Sequence, residues 1–545
     1  AVAALPEEFP VAFTFFLGVG VYRLAQRQAL VRRAVVVENI GRVTCICSDK
    51  TGTITEGKLT LAHILPAAGI VEPELRRVAA LASRSGSGDP LDAAVLEGGT
   101  SAGPRPLATF PFTEDRRRET SILPDGEGGF LAATKGAPET IFDVSALPAD
   151  ERIAWLAKTE ELGATGHKVL ACASKVLRDW SGGEPDRGFQ FLGLLAFEDP
   201  VRAGVREAVS KAQGAGIRVV MVTGDHVTTA AAIAREIGLG RATPRVIEGS
   251  QLKVMGANEL KEFDVVARAI PAQKLDLVRM LRSSGEIVAV TGDGVNDVPA
   301  LQGSDVGIAM GERGTRSARE IASIVLLDDN FRTIVRAIAE GRQLFRNLKL
   351  SFAYLLMVHV PLVATAALIP FAGFTLLYLP MHVVWLEVII HPTALLVFQE
   401  LPSSEKLESV QRNRRLRFFD WREWTLIALI GTLVTALIVV GYVRSLGSAS
   451  DVEHARSMAL VALVVASATM TAGLTRLRSH SSQIAVLATV GSALVLEQVP
   501  ALARLLHLSP LHGDDWLIAG LGGLVVGSLA ALLPGLSSKA SQKAA

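Results

Sequence analysis

Asp49 stands in the run Cys47-Ser48-Asp49-Lys50-Thr51-Gly52-Thr53-Ile54-Thr55, whose residue types can move a phosphoryl group. The preceding Val43-Thr44-Cys45-Ile46 is short, β-branched and apolar, which predicts a buried strand. The glycine and hydroxyl residues that follow predict a turn. Asp49 then lies at the carboxyl end of a strand, where open α/β sheets bind their ligands. A carboxylate so placed can attack phosphorus and carry the group as an aspartyl phosphate. Lys50, Thr51 and the turn amides can contact the phosphate oxygens. An Asp-Lys pair alone would read as a surface pair before a turn; the full run does not.

Two more apolar stretches end in similar chemistry. Arg218-Val219-Val220-Met221-Val222 runs into Thr223-Gly224-Asp225, and Glu286-Ile287-Val288-Ala289-Val290 into Thr291-Gly292-Asp293-Gly294-Val295-Asn296-Asp297. Three such strands separated by helical segments predict a parallel sheet whose polar ends converge at one edge. There Asp49 and Asp293 would hold Mg²⁺ through oxygen, with Asp297 supporting them. Lys274, on a helix after Pro271, would supply a cation to the transferring group.

The run Asp49-Lys50-Thr51-Gly52-Thr53 resembles the phosphorylation signature of the P-type ATPases. Gly-Asp-Gly-Val-Asn-Asp at 292–297 resembles the matching motif of the haloacid-dehalogenase superfamily, to which their phosphorylation domains belong. The resemblance is nearest to the calcium-pump-like group. It implies that Asp49 is the phosphorylated residue, that Lys50, Thr51, Thr223, Gly224, Asp225, Lys274 and Asn296 assist it, and that Thr51 joins Asp49, Asp293 and Asp297 around Mg²⁺. Related phosphatases carry a second aspartate two residues after the nucleophile. Thr51 stands there instead, so the aspartyl phosphate is expected to hydrolyse slowly.

The 545 residues carry 55 Lys and Arg against 54 Asp and Glu, a balance that gives no sign of nucleic-acid binding. Residues from about 40 to 345 look water-exposed; the rest is dominated by long apolar runs, as in an integral membrane protein with a large soluble insert. Membrane spans are predicted from Val2 to about Leu24 and at 350–371, 377–398, 423–444, 456–475, 483–503 and 515–534. Arg23, Arg27, Arg32 and Arg33, the stretch Arg412 to Arg422, and Arg476 to Arg478 would face the cytoplasm; Arg504 is an exception. Cys45, Cys47 and Cys172 suggest no disulfide framework, and Cys45 and Cys47 are expected to point to opposite faces as small apolar fillers. Opening at Ala1 inside an apolar run, the chain is read as a fragment.

Within the insert, Phe112 beside Arg116-Arg117-Arg118 could stack on adenine and neutralise phosphates. The resemblance implies that Phe112 stacks, Arg117 reaches the phosphates, and Lys135 of Thr134-Lys135-Gly136 lines the nucleotide pocket. Lys168 replaces the family's arginine in Gly-x-Arg-Val-Leu and keeps only its charge. Arg202, after Asp199-Pro200, is placed with the ATP-binding residues.

In the membrane, Glu7 between Pro6 and Pro10, the pair Glu387 and His391, and His359 beside Pro361 are ionisable groups in apolar segments. The resemblance implies that Glu7 matches the ion-binding glutamate of the fourth helix of calcium and sodium-potassium pumps. Glu387 and His391 fall where calcium pumps have asparagine and aspartate, His359 where they have asparagine, and Leu362 at a ligand position it cannot serve. Glu497 is a further buried candidate.

The fold class expected is a multidomain membrane protein: an α-helical transmembrane bundle, an α/β Rossmann-like phosphorylation domain, and an inserted α+β nucleotide-binding domain. The expected divisions are 1–40, the end of the fourth membrane helix and its stalk; 41–60 and 191–345, the phosphorylation domain; 61–190, the nucleotide-binding domain; and 346–545, about six membrane helices. The expected activity is ATP-driven transport of a cation, calcium-like, another divalent ion or H⁺, with ATP, Mg²⁺, the cation and the lipid bilayer as partners and no obligatory protein partner evident. The expected site is a bacterial plasma membrane with the insert in the cytoplasm. No Thr-Gly-Glu actuator motif is found, so the chain as given is expected to form the phosphoenzyme but turn over poorly. A membrane-tethered phosphatase and a non-transporting ATP-binding regulator are the alternatives.

Overall fold

The structure is a computed structural model that describes residues 8–87, 89–97, 105–113, 115–125, 128–240, 243–256, 259–401, 418–449 and 451–534. These residues fall into two units, one of residues 1–44, 214–217 and 335–545 and one of residues 45–213 and 218–334.

The second unit contains two sheets. In the first, seven parallel strands follow the order Ile324–Leu326, Val306–Met310, Val288–Gly292, Cys45–Asp49, Arg218–Val222, Val265–Ala267 and Val246–Glu248. The Cys45–Asp49 strand comes first in the chain, yet its neighbours come from both later halves. Strand order therefore reverses there, and such a point opens a crevice at the carboxyl ends. The strands are apolar along their length because helices cover both faces of a parallel sheet. Cys45, Cys47, Val220, Val222, Val288 and Val290 lie in one buried cluster with Leu277, Val278 and Leu281 of the Pro271–Ser283 helix.

This corrects the expectation for the cysteines. Residues two apart on a strand share a face, and Cys45 and Cys47 pack side by side in that cluster. A hydrogen bond with Cys45, together with burial, pushes the Cys47 thiol well up. Both act as buried apolar residues.

The second sheet is antiparallel, in the order Thr60–Pro66, Gln190–Glu198, Lys168–Leu177, Phe130–Gly136, Arg118–Pro124 and Ala108–Phe110. The Gln190–Glu198 strand belongs here, although the sequence placed the return to the first domain at 191. Its nine residues pair with Thr60–Pro66 and Lys168–Leu177, so the chain leaves this sheet at Asp199.

The first unit is helical. Among the described residues six helices are long and apolar enough to cross a membrane: Phe9–Gln26, Phe331–Phe371, Pro380–Val397, Trp421–Gly447, Val452–Thr475 and Gly513–Leu532. Six of the seven predicted spans fall on these. The seventh, 483–503, does not. Its helix runs His480–Gln498, starts with polar residues, and stops at Val499, after which Pro500 opens the short Pro500–Leu505 helix. Proline suits a first helical position, and its missing N–H weakens a helix that would run into it from before.

Candidate active site

The Cys45–Asp49 strand ends in a turn that Gly52 makes possible. Gly52 has φ +73°, and a Cβ there would lie 3.1 Å from Asp293 Oδ2. Glycine thus lets the turn pass beside a carboxylate. The Asp49 N–H donates to Thr291 Oγ1 at 2.9 Å, which ties the strand end to the neighbouring strand. Asp49 Oδ1 accepts from the Lys50 N–H at 2.9 Å, and Oδ2 faces Lys274 Nζ at 3.3 Å.

Lys274 bridges two carboxylates, since the same Nζ lies 2.7 Å from Asp297 Oδ1. Asp297 is buried, and its Oδ2 accepts the N–H groups of Asp293 and Gly294 at 3.2 Å each. Asp49, Asp293 and Asp297 each offer an oxygen, and these oxygens lie within 4.8 Å of one another. The donor set is all carboxylate, which fits a hard cation such as Mg²⁺. Three carboxylates so close cannot all ionise freely. Burial, then Asp297 and Asp293, push the Asp49 carboxyl up to about 7 against the opposing pull of Lys274. Burial and Asp297 raise Asp293 too. Lys274 is lowered by burial but raised more by Asp49 and Asp297, and ends above its ordinary value.

The other sequence candidates are distributed around this centre. Lys50 Nζ sits 2.8 Å from Asp225 Oδ2 and 3.8 Å from Asp199 Oδ2, so it links the first turn to the Thr223-Gly224-Asp225 turn. Thr223 is buried, and its Oγ1 accepts the Asp225 N–H at 3.1 Å. Thr51, Gly224 and Asn296 are exposed at the same edge.

The nucleotide candidates lie mainly in the antiparallel sheet. Phe112 is 50% exposed. Of the basic run, Arg116 and Arg118 are taken by Glu184, at 2.6 and 3.2 Å, while Arg117 is exposed. The Arg117 carbonyl accepts the Ala137 N–H at 2.9 Å, which sets it against the Lys135-Gly136 turn. Lys135 is buried between Asp92 and Glu119, so its ammonium is already paired. Lys168 opens its strand and is exposed. Arg202 is placed elsewhere: its guanidinium donates to the carbonyls of Thr55 at 3.0 Å and Gly52 at 3.2 Å. It braces the turn after Asp49.

In the helical unit, His359 Nε2 lies 4.0 Å from Glu387 Oε1, and His391 Nδ1 lies 3.2 Å from Glu387 Oε2. Glu7 lies outside the described residues. Glu497 is fully buried on the His480–Gln498 helix.

Residues 43–305 match the haloacid dehalogenase-like hydrolase family, and residues 375–534 match the family of cation transporting ATPase C-termini. The chain is 29% identical to the calcium-transporting ATPase of Bacillus subtilis over 95% of its own length and 66% of that protein. It is 33% identical to the cation-transporting ATPase pma1 of Synechocystis over 86% and 59%, and 34% identical to the sodium/potassium-transporting ATPase subunit alpha-A of Artemia franciscana over 70% and 47%. This chain belongs to the P-type ATPases. It is related to the calcium pumps and spans about half to two thirds of the length of the curated relatives it matches.

Three residues of this P-type ATPase support the site without having been singled out by the sequence. Thr291 accepts from the Asp49 backbone. Asp199 accepts from Thr55 Oγ1 and the Gly57 N–H, both at 2.6 Å, and holds the far side of the turn. Asp329 is buried and accepts the N–H groups of Gly311, Glu312 and Arg313 at 2.6, 3.2 and 3.0 Å. The loop it holds includes Thr315, whose N–H donates to the Asp293 carbonyl at 2.7 Å. Thr291 and Asp199 sit in strand-end runs where a polar residue after apolar ones was a signal. Asp329 has no such mark, because its partners are backbone groups.

Proposed function

We propose that this chain couples phosphorylation of Asp49 by ATP to movement of a cation across a membrane. The observation that carries the reading is the convergence of Asp49, Lys274, Asp293 and Asp297 at the reversal point of the parallel sheet.

A carboxylate oxygen of Asp49 attacks the γ-phosphorus; the new O–P bond forms as the bond to the β-phosphate oxygen breaks, and ADP leaves with that electron pair. Lys274 faces the attacking group and neutralises charge as it spreads over the phosphoryl oxygens. The Lys50–Asp225 pair and the Arg202 contacts keep the turn amides in place while this happens. Mg²⁺, when bound by Asp49, Asp293 and Asp297 with Thr51 nearby, screens the phosphate charge. Phe112 offers its ring to adenine, Arg117 and Lys168 offer cations to the phosphates, and Lys135 forms a wall of the pocket. Thr51 supplies no general acid or base, so the phosphoenzyme persists long enough to serve a conformational cycle.

We take Glu7, His359, Glu387 and His391 as the residues that bind the cation, on the ionisable groups these apolar segments carry. Residues 41–60 and the segment from Asp199 onward form the phosphorylation domain, with the antiparallel sheet as the nucleotide-binding domain between them. The insert faces the cytoplasm, and the helices cross a bacterial plasma membrane.

The test is acid-quenched labelling by γ-labelled ATP with Mg²⁺ across a panel of cations. A hydroxylamine-sensitive label that rises with one cation supports the pump. Hydrolysis of phosphomonoesters with no preference for ATP would instead establish a tethered phosphatase.

A further inference from the structure

We propose that Arg313 clamps the phosphoryl group carried by Asp49, turning its guanidinium from a resting place over Gly57 to the phosphoryl oxygens. The proposal rests on the phosphorylation reading above and adds to that site a residue that no motif in the sequence marked.

Arg313 projects from a loop fixed at several points. Its own N–H and those of Gly311 and Glu312 donate to the buried Asp329 carboxylate. Two residues on, the Thr315 N–H donates to the Asp293 carbonyl at 2.7 Å, and Thr315 Oγ1 caps the Arg316–Ile321 helix. Backbone held on both sides sets where the side chain starts. The neighbouring arginines are engaged: Arg316 lies 2.7 Å from Glu320 Oε1, and Arg319 donates to the Gly311 carbonyl at 3.0 Å. The Arg313 guanidinium is exposed and, among the described residues, makes no hydrogen bond or ion pair.

Two glycines of the turn after Asp49 bring this arginine close. A Cβ on Gly57 would lie 2.6 Å from Arg313 Nη1. A side chain at position 57 would therefore expel the guanidinium from where it rests. A Cβ on Gly52 would lie 4.0 Å from Arg313 Cδ and 3.1 Å from Asp293 Oδ2. The arm of Arg313 and the Asp293 carboxylate thus close on the same point, which glycine leaves open. The fork beyond Cδ starts beside the aspartate cluster, and rotation about its last bonds is the movement proposed.

Charge gives the reason for the movement. Lys50 is already matched by Asp225, and Lys274 is shared between Asp49 and Asp297. Counted as ionised with Mg²⁺ bound, Asp49, Asp293 and Asp297 balance Lys274 and the metal. Phosphorylation replaces the Asp49 carboxylate by a phosphoryl dianion, which leaves one negative charge unmatched. Arginine suits that charge, since it stays protonated and its fork meets phosphate oxygens two at a time. Before phosphorylation there is no such excess, in keeping with a guanidinium that rests over a glycine.

The test is equilibrium dialysis of the full chain in detergent against beryllium fluoride with saturating Mg²⁺ and no ATP, with bound beryllium counted by mass spectrometry. Fluoroberyllate on a carboxylate mimics an acyl phosphate. We expect one beryllium per parent chain and none in Asp49→Asn. Arg313→Gln should weaken binding about 10-fold, the low end for a charged hydrogen bond because the group is exposed. Arg313→Lys should recover part of the loss, keeping the charge without the fork. ADP, which lacks the transferred group, should bind Arg313→Gln as it binds the parent, and this also shows that the variant is folded. Arg316→Gln removes an equal charge three residues away and should bind fluoroberyllate normally. Equal binding by the parent and Arg313→Gln overturns the proposal and leaves the phosphorylation reading standing. An equal loss in Arg316→Gln overturns it too, since the effect is then general charge. A parent that binds no fluoroberyllate sinks the phosphorylation reading and the clamp with it.

Discussion

Asp49 holds its negative charge against its surroundings. Its carboxyl is pushed up to about 7 from 3.8, by burial first and then by Asp297 and Asp293. A folded pKa above the unfolded one means that the fold keeps a proton the unfolded chain releases. The associated stability is fully present below about pH 4 and is lost as pH rises through 7. At about pH 8 without Mg²⁺, Asp49→Asn should therefore melt a few degrees higher than the parent, and the difference should vanish near pH 4. Thermal melts at the two pH values check this. Added Mg²⁺ should raise the parent's midpoint at pH 8, and Asp293→Asn should reduce that gain. Lys274→Ala should slow phosphorylation by about 10²–10³-fold, the scale set by removing one electrostatic partner of a developing charge; rapid-quench labelling reads it. At this scale the sequence was highly legible. The strand-end aspartates and Lys274 sit in local patterns that physics ties to a role. The pairing of Lys135 with Asp92 and Glu119 and the turn-bracing contacts of Arg202 were not legible, because they depend on partners 16 to 150 residues away.

Elements show where pattern reading fails. The strands ending in Asp49, Asp225 and Asp293 were legible, since apolar runs stop at polar turns. The short Val265–Ala267 and Ile324–Leu326 strands were not, as three residues hold no periodicity. The Gln190–Glu198 strand was assigned to the wrong sheet because its apolar run suits either kind, and only pairing distinguishes them. Asp329 belongs to this scale. Asp329→Ala removes the buried carboxylate that accepts three N–H groups of the 311–313 loop and should cost about 1–3 kcal/mol, with weakened Mg²⁺ binding through Thr315 and Asp293; denaturant melts with and without Mg²⁺ check both. In the helical unit, Arg342 of the Phe331–Phe371 helix donates to the carbonyls of Gly41 and Val43 at 3.3 and 3.2 Å. The chain enters the Asp49 strand two residues later. Arg342→Ala should preserve ATP-dependent labelling but flatten its dependence on the cation, measured as label against cation concentration.

At the scale of the whole molecule, a helical unit supplies a histidine–glutamate pair, His359 and Glu387, and an α/β unit supplies the cluster of Asp49, Lys274, Asp293 and Asp297. The chain returns to the helical unit at 214–217 and again at 335, so each unit is built from separated segments. Membrane helices were legible by length and apolarity. The exception was 483–503, where a proline divides an apolar stretch into two helices that are each too short or too polar. The central claim is that Asp49 becomes an acyl phosphate, and reductive trapping tests it most directly. After brief exposure to Mg²⁺ and ATP, borohydride reduces an aspartyl phosphate to homoserine, which peptide mass spectrometry locates. The account predicts homoserine at position 49, dependent on ATP. Homoserine at another position, or an unmodified Asp49 in protein that has bound ATP, would contradict it.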